Sequence, residues 1–346
     1  MGSLPPERVL RSPPFTFVVC DLFGPYMCRG DKNPRVCNLK VWGFIIVDLP
    51  SPAVHIEVTP GYDTGSFLIS FRRYAAIRGW PSKVYSDPGT QLVGASAEVR
   101  RAWEMLQTDD VIAECLRKGT EWVFGPSDSP WYQGAAESLI KSAKTSIHRS
   151  IHGKHLSALE LLSAFSEVAN LLNERPIGFA PGLDNEINIL TPNNLLLGRS
   201  VSTNPGGYQS DTSLLSRVTA VREIVDAFWS SWTELYAPTL LRQSKWTHEE
   251  RPLRRGDIVL VADQNTVRGE YRLAMVGDVH PSRDGLVRRV DIEYVIYKSM
   301  TKDFQLVDGK LHSVPRSVQR LALIIPVEEL PPEVARKLLS GKKEEE

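Results

Sequence analysis

Three acidic residues stand where strand-like or helical runs end or begin, and this order of runs constrains the fold more than any other feature. Asp21 closes the apolar run at residues 15–20, and a turn is expected after it at residues 22–25. Asp87 closes a second strand-like run, residues 83–86, ahead of Pro88 and Gly89. Glu137 lies at the start of a helix. Two strand ends and one helix start can converge on one point.

Convergence of three carboxylates has a chemical consequence. Carboxylates that lie close together repel one another and stay ionised together only when cations hold them. Their hard oxygen ligands favour Mg²⁺ or Mn²⁺. Taken singly, each acid also has a purely structural explanation, because Asp is common in turns and Glu is favoured at the start of a helix.

The first 200 residues predict one α/β domain. Helical and strand periodicities alternate along it, and Ser157 with Glu160 forms a predicted capping box at a helix start. The predicted strands are residues 15–20, 41–48, 53–59, 83–87 and 120–124, and the predicted helices are residues 64–78, 97–118, the one carrying Glu137, and 157–174.

After residue 200 the sequence pattern changes. A long helix is predicted at residues 213–236, ended by Pro238, with apolar residues in alternating steps of four and three. This stripe fits packing on the chain's own core and self-association equally well. Strand-like runs at residues 257–262, 272–279, 289–297 and 321–325, separated by turn residues such as Asp308 and Gly309, predict a small antiparallel barrel.

These patterns give five predicted segments. They are an extended arm at 1–14, the α/β core at 15–200, a linker with an amphipathic helix at 201–250, an all-β barrel at 251–326 and a charged tail at 327–346.

Composition excludes some classes of protein. The 346 residues carry 41 basic and 41 acidic side chains, so the overall charge does not indicate nucleic-acid binding. The four cysteines contain no CxxC pair, which disfavours a structural zinc knuckle, and without an export signal we expect free thiols. No apolar run reaches membrane-spanning length, and the N-terminus lacks a secretory pattern. We therefore expect a soluble intracellular protein that does not bind membranes.

The order of these motifs resembles the retroviral-type integrase core, an RNase H-like fold, and more narrowly the integrases of BEL/Pao long-terminal-repeat retrotransposons. The stretches that carry the resemblance are PPFTFVVCDLFGP at 13–25, AVHIE at 53–57, YSDPGTQLVGA at 85–95, QGAAESLIK at 133–141 and LTPNNLLLG at 190–198. The run beginning GDIVLV at 256–261 is similar to the C-terminal unit of the same polyproteins. The resemblance implies a mixed five-stranded sheet with flanking helices, a long linker helix and a small all-β barrel.

The resemblance also implies a function. Asp21, Asp87 and Glu137 would be the catalytic acids of the DDE type, holding two Mg²⁺ or Mn²⁺ ions, with Asp21 bridging them. Two metals can activate the attacking oxygen and stabilise the leaving oxygen in a displacement at phosphorus. The expected reactions are 3′-processing of DNA ends and strand transfer into target DNA. The expected partners are DNA and further copies of the chain, and the expected location is the nucleus.

Several residues near the acids are candidates for contacts with DNA. Glu137, Lys141, Lys144 and His148 share one helix face, and the resemblance assigns Lys141 and Lys144 to DNA-end phosphates and Gln133 to a base or phosphate. An ordinary Glu–Lys pair on a helix explains the same spacing. Arg254 and Arg255, ahead of the predicted barrel, suit a phosphate backbone, and a normally charged surface explains them equally well.

Two other features leave alternatives open. His148, His152 and His155 have a spacing that allows zinc ligation, although a solvated histidine face explains it better. Complete integrases of this class carry an N-terminal His-His-Cys-Cys zinc module, and we expect none within these 346 residues, because their four cysteines do not form one. That difference keeps a second function in view, a domesticated, catalytically idle factor that binds DNA or protein and uses the long helix as its partner surface.

Overall fold

The computed structural model describes residues 7, 12–30, 39–61, 63–86, 119–124, 134–154, 156–181, 187–198, 216–240, 251–262, 268–269, 271–298 and 305–330. The chain divides into two compact units. The first comprises residues 1–173, 195–199 and 209–232, and the second comprises residues 174–194, 200–208 and 233–346. The five predicted segments do not follow this division, and their boundaries stay a prediction.

A mixed sheet forms the centre of the first unit. Its strands are β1 (Phe17–Arg29), β2 (Leu39–Asp48), β3 (Val54–Thr59), β4 (Lys83–Ser86) and β5 (Glu121–Phe124). They lie in the order β3-β2-β1-β4-β5, in which β2 is antiparallel to both β1 and β3, and β4 and β5 are parallel to β1. A two-residue strand, β6 (Leu156–Ser157), also pairs with β1. The predicted mixed α/β sheet is confirmed.

The first strand is longer than predicted, and the turn expected at residues 22–25 is wrong. β1 continues to Arg29 through a bulge between Phe23 and Tyr26, so Asp21 lies within the strand and does not end it. Gly24 supplies the bulge with a positive φ of 111°, a conformation that favours glycine. Pairing with β2 on both sides of the bulge carries the strand past Gly24 and Pro25.

One face of this sheet is covered by the helix α1 (Thr64–Arg78), whose predicted bounds are confirmed. Asp63 caps its start by accepting a 2.9 Å hydrogen bond from the Ser66 backbone N–H. Phe67, Phe71 and Tyr74 of α1 pack into one buried apolar cluster with side chains of the sheet. Those from β1 and β2 are Val18, Cys20, Leu22, Phe44 and Ile46.

The helices α2 (Gly134–Ile151) and α3 (Ala158–Asn173) complete the core of the first unit. α2 packs against β1 and β2, and α3 packs against β3. At the end of α3, Asn173 pairs with the edge strand through both ends of its amide. Its Oδ1 accepts from the Val54 N–H at 2.7 Å, and its Nδ2 donates to the Val54 carbonyl at 2.8 Å.

The predicted capping box is confirmed at the start of α3. The Ser157 N–H donates to Glu160 Oε2 at 2.9 Å, and the Glu160 N–H donates to Ser157 Oγ at 3.3 Å. Glu160 also accepts hydrogen bonds from Arg29 at 2.6 Å and from Arg217 at 2.5 Å. Burial by itself would raise the pKa of Glu160, but these two guanidinium groups and the capping bond outweigh it and hold the pKa at about 2.

This carboxylate makes stability depend on acid pH. A folded-state pKa below the unfolded value gives stability that is complete above about pH 4.5 and is lost as the pH falls towards 2. We expect up to about 3 kcal/mol of unfolding free energy to disappear over that range, since each pKa unit is worth about 1.36 kcal/mol. Urea unfolding of the wild type and of Glu160→Gln at pH 5 and pH 3 measures this. The difference between the two proteins should shrink at the lower pH, and an unchanged difference would contradict the assignment.

The long helix α5 (Ser216–Leu240) runs past Pro238, so its predicted end is wrong. A proline this near a helix end removes only one backbone donor of the last turns. Within the first unit its apolar stripe is buried, which favours the core explanation over self-association. Its buried members are Val221, Val225, Phe228 and Trp232, and Leu235 is half-buried. Leu214 lies outside the described residues, and Val218 is half exposed.

The described residues of the second unit form two sheets. The hairpin β7 (Gly178–Pro181) and β8 (Ile187–Leu190) precedes a short helix, α4 (Pro192–Leu197). A second sheet has the order β12-β11-β10-β9-β13. Its strands are β9 (Ile258–Val261), β10 (Leu273–Pro281), β11 (Val287–Lys298), β12 (Gln305–Ser317) and β13 (Leu321–Ile325). Among the described strands this order is open, so a closed barrel is not confirmed. The predicted turn at Asp308 and Gly309 is wrong, because both lie within β12.

A buried carboxylate anchors the start of the second sheet. Asp257 is fully buried and accepts two 2.8 Å hydrogen bonds from Arg251. It also accepts from the backbone N–H groups of Arg254 at 2.7 Å and of Val327 at 2.9 Å. These contacts join the segment before β9 to the segment after β13.

The described helices include none with both the length and the hydropathy required to cross a bilayer.

Candidate active site

Asp21 lies on the face of the first sheet opposite α1. Val18, Cys20 and Leu22 point into the cluster beneath α1, and successive side chains of a strand alternate between faces. Asp21 therefore points to the side on which α2 packs. Its side chain is 27% exposed, so the carboxylate is accessible to solvent at the surface of the sheet.

The neighbouring strand β4 brings the chain to the same region. β4 runs parallel to β1, and its last residue, Ser86, pairs with Cys20. Asp87 follows Ser86 in the sequence as Asp21 follows Cys20. Asp87 itself lies outside the described residues, and so does Gln133.

The third acid is carried by α2. Glu137 lies in the first turn of this helix and is exposed. The opposite face of α2 is buried, and its members are Ala136, Leu139, Ile140, Ala143 and Ile147. On the Glu137 face, Lys141 and His148 are exposed and Lys144 is half-buried. An acid at this end of a helix is favoured by the helix dipole.

Lys144 makes the contact that joins α2 to Asp21. Its Nζ donates a hydrogen bond to Asp21 Oδ2 and a second one, at 3.0 Å, to the Leu22 carbonyl. The lysine side chain is 23% exposed, so the ion pair is partly shielded from solvent. The sequence placed Lys144 on the Glu137 face but gave no sign that it reaches β1, because that contact depends on how α2 packs across the sheet.

The donor chemistry here fits a hard divalent cation. Asp21 and Glu137 offer carboxylate oxygens, the ligands that Mg²⁺ and Mn²⁺ prefer. The Asp21 carboxylate already attracts a cationic group, the Lys144 ammonium. Within the part of the chain that the structure describes, no three His, Cys, Asp or Glu side chains come together as a metal cluster. The predicted third acid, Asp87, lies outside that part.

The histidines of α2 lie beyond Lys144. His148 and His152 are both exposed, and their rings stack with centroids 6.4 Å apart and planes 14° from parallel. His155 lies outside the described residues.

The basic residues ahead of β9 are arranged beside acids. Arg254 donates to Glu328 Oε1 at 2.6 Å, and Arg251 donates to Glu328 Oε2 at 2.5 Å as well as to Asp257. Arg255 is exposed. A phosphate that bound Arg254 would compete with Glu328, so the role of Arg254 and Arg255 in binding DNA stays a prediction.

Comparisons with known proteins give one family match and one structural similarity. Residues 216–304, less than half of the chain, match the model of a family described as "Family of unknown function (DUF5641)". The chain is also similar to the crystal structure of the catalytic core domain of BIV integrase, with 15% sequence identity and a TM-score of 0.34. That similarity covers 53% of this chain and 95% of the other. No curated protein matches the chain.

Proposed function

We propose that this chain is a metal-dependent polynucleotidyl transferase of the integrase type, of the BEL/Pao lineage, with an RNase H-like core. Its substrates are the DNA ends of the element and target DNA, and its reactions are 3′-processing and strand transfer. Asp21, Asp87 and Glu137 are the proposed catalytic acids and ligands of two Mg²⁺ or Mn²⁺ ions. The observation that carries the proposal is the Lys144 contact, which brings the helix of Glu137 onto the strand of Asp21.

The arrangement of the strands supports the same assignment. β1 has β4 as its parallel neighbour, and the pairing of Cys20 with Ser86 lies one residue before each of the two proposed aspartates. A mixed sheet with helices on both faces leaves the Asp21 side chain partly open to solvent. A substrate as large as a DNA end requires such an accessible carboxylate.

Each residue has a distinct task in the proposed reaction. The three carboxylates would hold the ions, whose chemistry when bound would be activation of the attacking oxygen and stabilisation of the charge on the leaving oxygen. Lys141, which is exposed one helical turn after Glu137, is the proposed contact for a DNA phosphate; a contact of this kind positions the DNA end without reading its sequence.

The structure gives less support to the second candidate function, a catalytically idle binding factor. That function requires the apolar stripe of the long helix to be an exposed partner surface, and in the described part of α5 most of the stripe is buried within the first unit. Nuclear location and assembly into a homo-oligomer remain part of the proposal.

The test is end processing of DNA. The wild-type protein with Mg²⁺ or Mn²⁺ should nick the 3′ ends of duplex oligonucleotides that carry the element's terminal repeats, and should join them to a second duplex. The Asp87→Asn variant should lose both activities while it still binds the duplex, because the substitution removes only one charge. Binding without any cleavage by the wild type would overturn the enzymatic function and support the idle binding factor.

A further inference from the structure

The Lys144 ammonium occupies a position that the proposed function gives to a cation. It lies against Asp21 Oδ2 and is held in place by the Leu22 carbonyl at 3.0 Å. The aspartate side chain is 27% exposed and the lysine side chain 23% exposed, so water screens the pair only in part. A positive charge and a divalent ion cannot both be bonded to the same carboxylate oxygen at close range without strong repulsion.

We propose that Lys144 takes the place of the cation at Asp21 in the metal-free protein, and that cation binding releases it to a DNA phosphate. The proposal rests on the proposed function, which makes Asp21 a metal ligand. It adds a coupling between cation binding and DNA binding. Lys144 would be bonded to Asp21 before the cation binds and would be available to a DNA phosphate afterwards.

The chemistry of lysine suits this exchange. Its ammonium is a compact charge on a flexible four-carbon chain, so it can leave Asp21 without a change in the backbone of α2. Lys141 lies one turn earlier on the same face and is exposed. A released Lys144 would therefore add a second positive charge to a surface already available to phosphate. Because binding equilibria are linked, the cation should favour DNA binding and DNA should favour cation binding by the same factor.

The first arm of the test measures Mn²⁺ binding without DNA, by titration calorimetry or electron paramagnetic resonance. Lys144→Met should bind Mn²⁺ about two- to fivefold more tightly than the wild type, the range expected for loss of a competing ion pair worth up to about 1 kcal/mol. Lys141→Met is the matched control, since it removes the same charge one turn away, and it should change the affinity less than about twofold. Thermal unfolding of each variant confirms that it is folded, and Lys144→Gln repeats the measurement with a polar side chain.

The outcomes separate the inference from the proposed function. Equal or weaker Mn²⁺ binding by Lys144→Met would overturn the inference, and so would an equal gain in Lys141→Met, because general charge would then explain the effect. Asp21→Asn should lose Mn²⁺ binding. If Asp21→Asn binds Mn²⁺ as the wild type does, then the proposed function fails as well, because Asp21 is not a ligand.

The second arm measures DNA binding with and without Ca²⁺, which serves as a cation that does not support turnover. Each phosphate contact adds about 0.9 to the slope of log affinity against log salt. With Ca²⁺ the slope of Lys144→Met should be smaller than that of the wild type by about this amount. Without a divalent cation the two slopes should coincide, because Lys144 is then bonded to Asp21. A difference of the same size in both conditions would show a permanent phosphate contact and overturn the exchange.

Discussion

Replacement of Asp21 with asparagine should lower the rate of metal-dependent nicking by about 10³-fold or more, because several kcal/mol of charge stabilisation are lost with the ions. Asparagine keeps the size of the side chain and removes only its charge. Because the residue is 27% exposed and β1 is held by backbone pairing on both sides, the fold should persist. Single-turnover nicking of the labelled terminal-repeat duplex measures the rate.

DNA affinity distinguishes a lost catalytic step from a lost structure. Without divalent cations, Asp21→Asn should bind the duplex at least as tightly as the wild type, since one negative charge has been removed near the phosphates and Lys144 has lost its partner. Asp278→Asn, at an exposed position of β10, is the matched control and should keep the wild-type rate. A loss of less than about tenfold in Asp21→Asn would contradict the assignment of this residue as a ligand of the catalytic ions.

The largest stability effect is expected at Asp257. Its replacement with alanine removes, at a fully buried position, the carboxylate that accepts from two backbone N–H groups and from Arg251, which then keeps Glu328 as its acidic partner. Each buried donor left without an acceptor costs about 1–3 kcal/mol, so we expect a loss of about 3–5 kcal/mol in all. Urea unfolding should show this loss, and hydrogen exchange should locate it at the amides of β9 and β13, which pair with each other.

An Asp–Arg ion pair at the surface provides the control for Asp257→Ala. Asp284 forms a two-bond ion pair with Arg288, at 2.9 and 2.6 Å, but both side chains are about half exposed. Solvent screens such a pair, so Asp284→Ala should leave the unfolding midpoint unchanged within error. Similar losses in the two variants would show that burial does not decide the contribution of these pairs.

Local sequence patterns predicted those helices and strands whose caps and apolar spacing agree with the way the element packs in the fold. The α1 helix has its cap at Asp63 and its apolar side chains at helical spacing, and its bounds are those that the sequence predicts. β13 is bounded as predicted, and the capping box of Ser157 and Glu160 is formed. In each case a few neighbouring residues contain all the information that the element requires.

The sequence-based predictions of element ends fail where a partner strand or the preceding turns of a helix keep turn-forming residues in the element. Gly24 and Pro25 indicate a turn by themselves, but pairing with β2 keeps them in β1. Asp308 and Gly309 lie in β12 at a shift of its register, and pairing of Leu306 and Leu311 with β11 on either side keeps them in the strand. Pro238 falls within α5, whose earlier turns are already fixed by burial of Phe228 and Trp232.

The candidate site was predictable as a set of residue types but not as a set of contacts. The spacing of Glu137, Lys141 and Lys144 places them on one helix face, and the buried stripe on the other face confirms the orientation of α2. Nothing local shows that Lys144 bonds to Asp21, which is 123 residues earlier. Such a contact is set by the packing of α2 on the sheet.

The amide of Asn173 has a consequence for association between chains. An edge strand with free N–H and C=O groups is a template on which another strand can add, and extended stacks of this kind lead to aggregates. At Val54 both groups are already bonded to a side chain that presents a donor and an acceptor as a backbone would. Asn173 therefore blocks strand addition at this position, since an incoming strand would have to displace its side chain before it could pair with Val54.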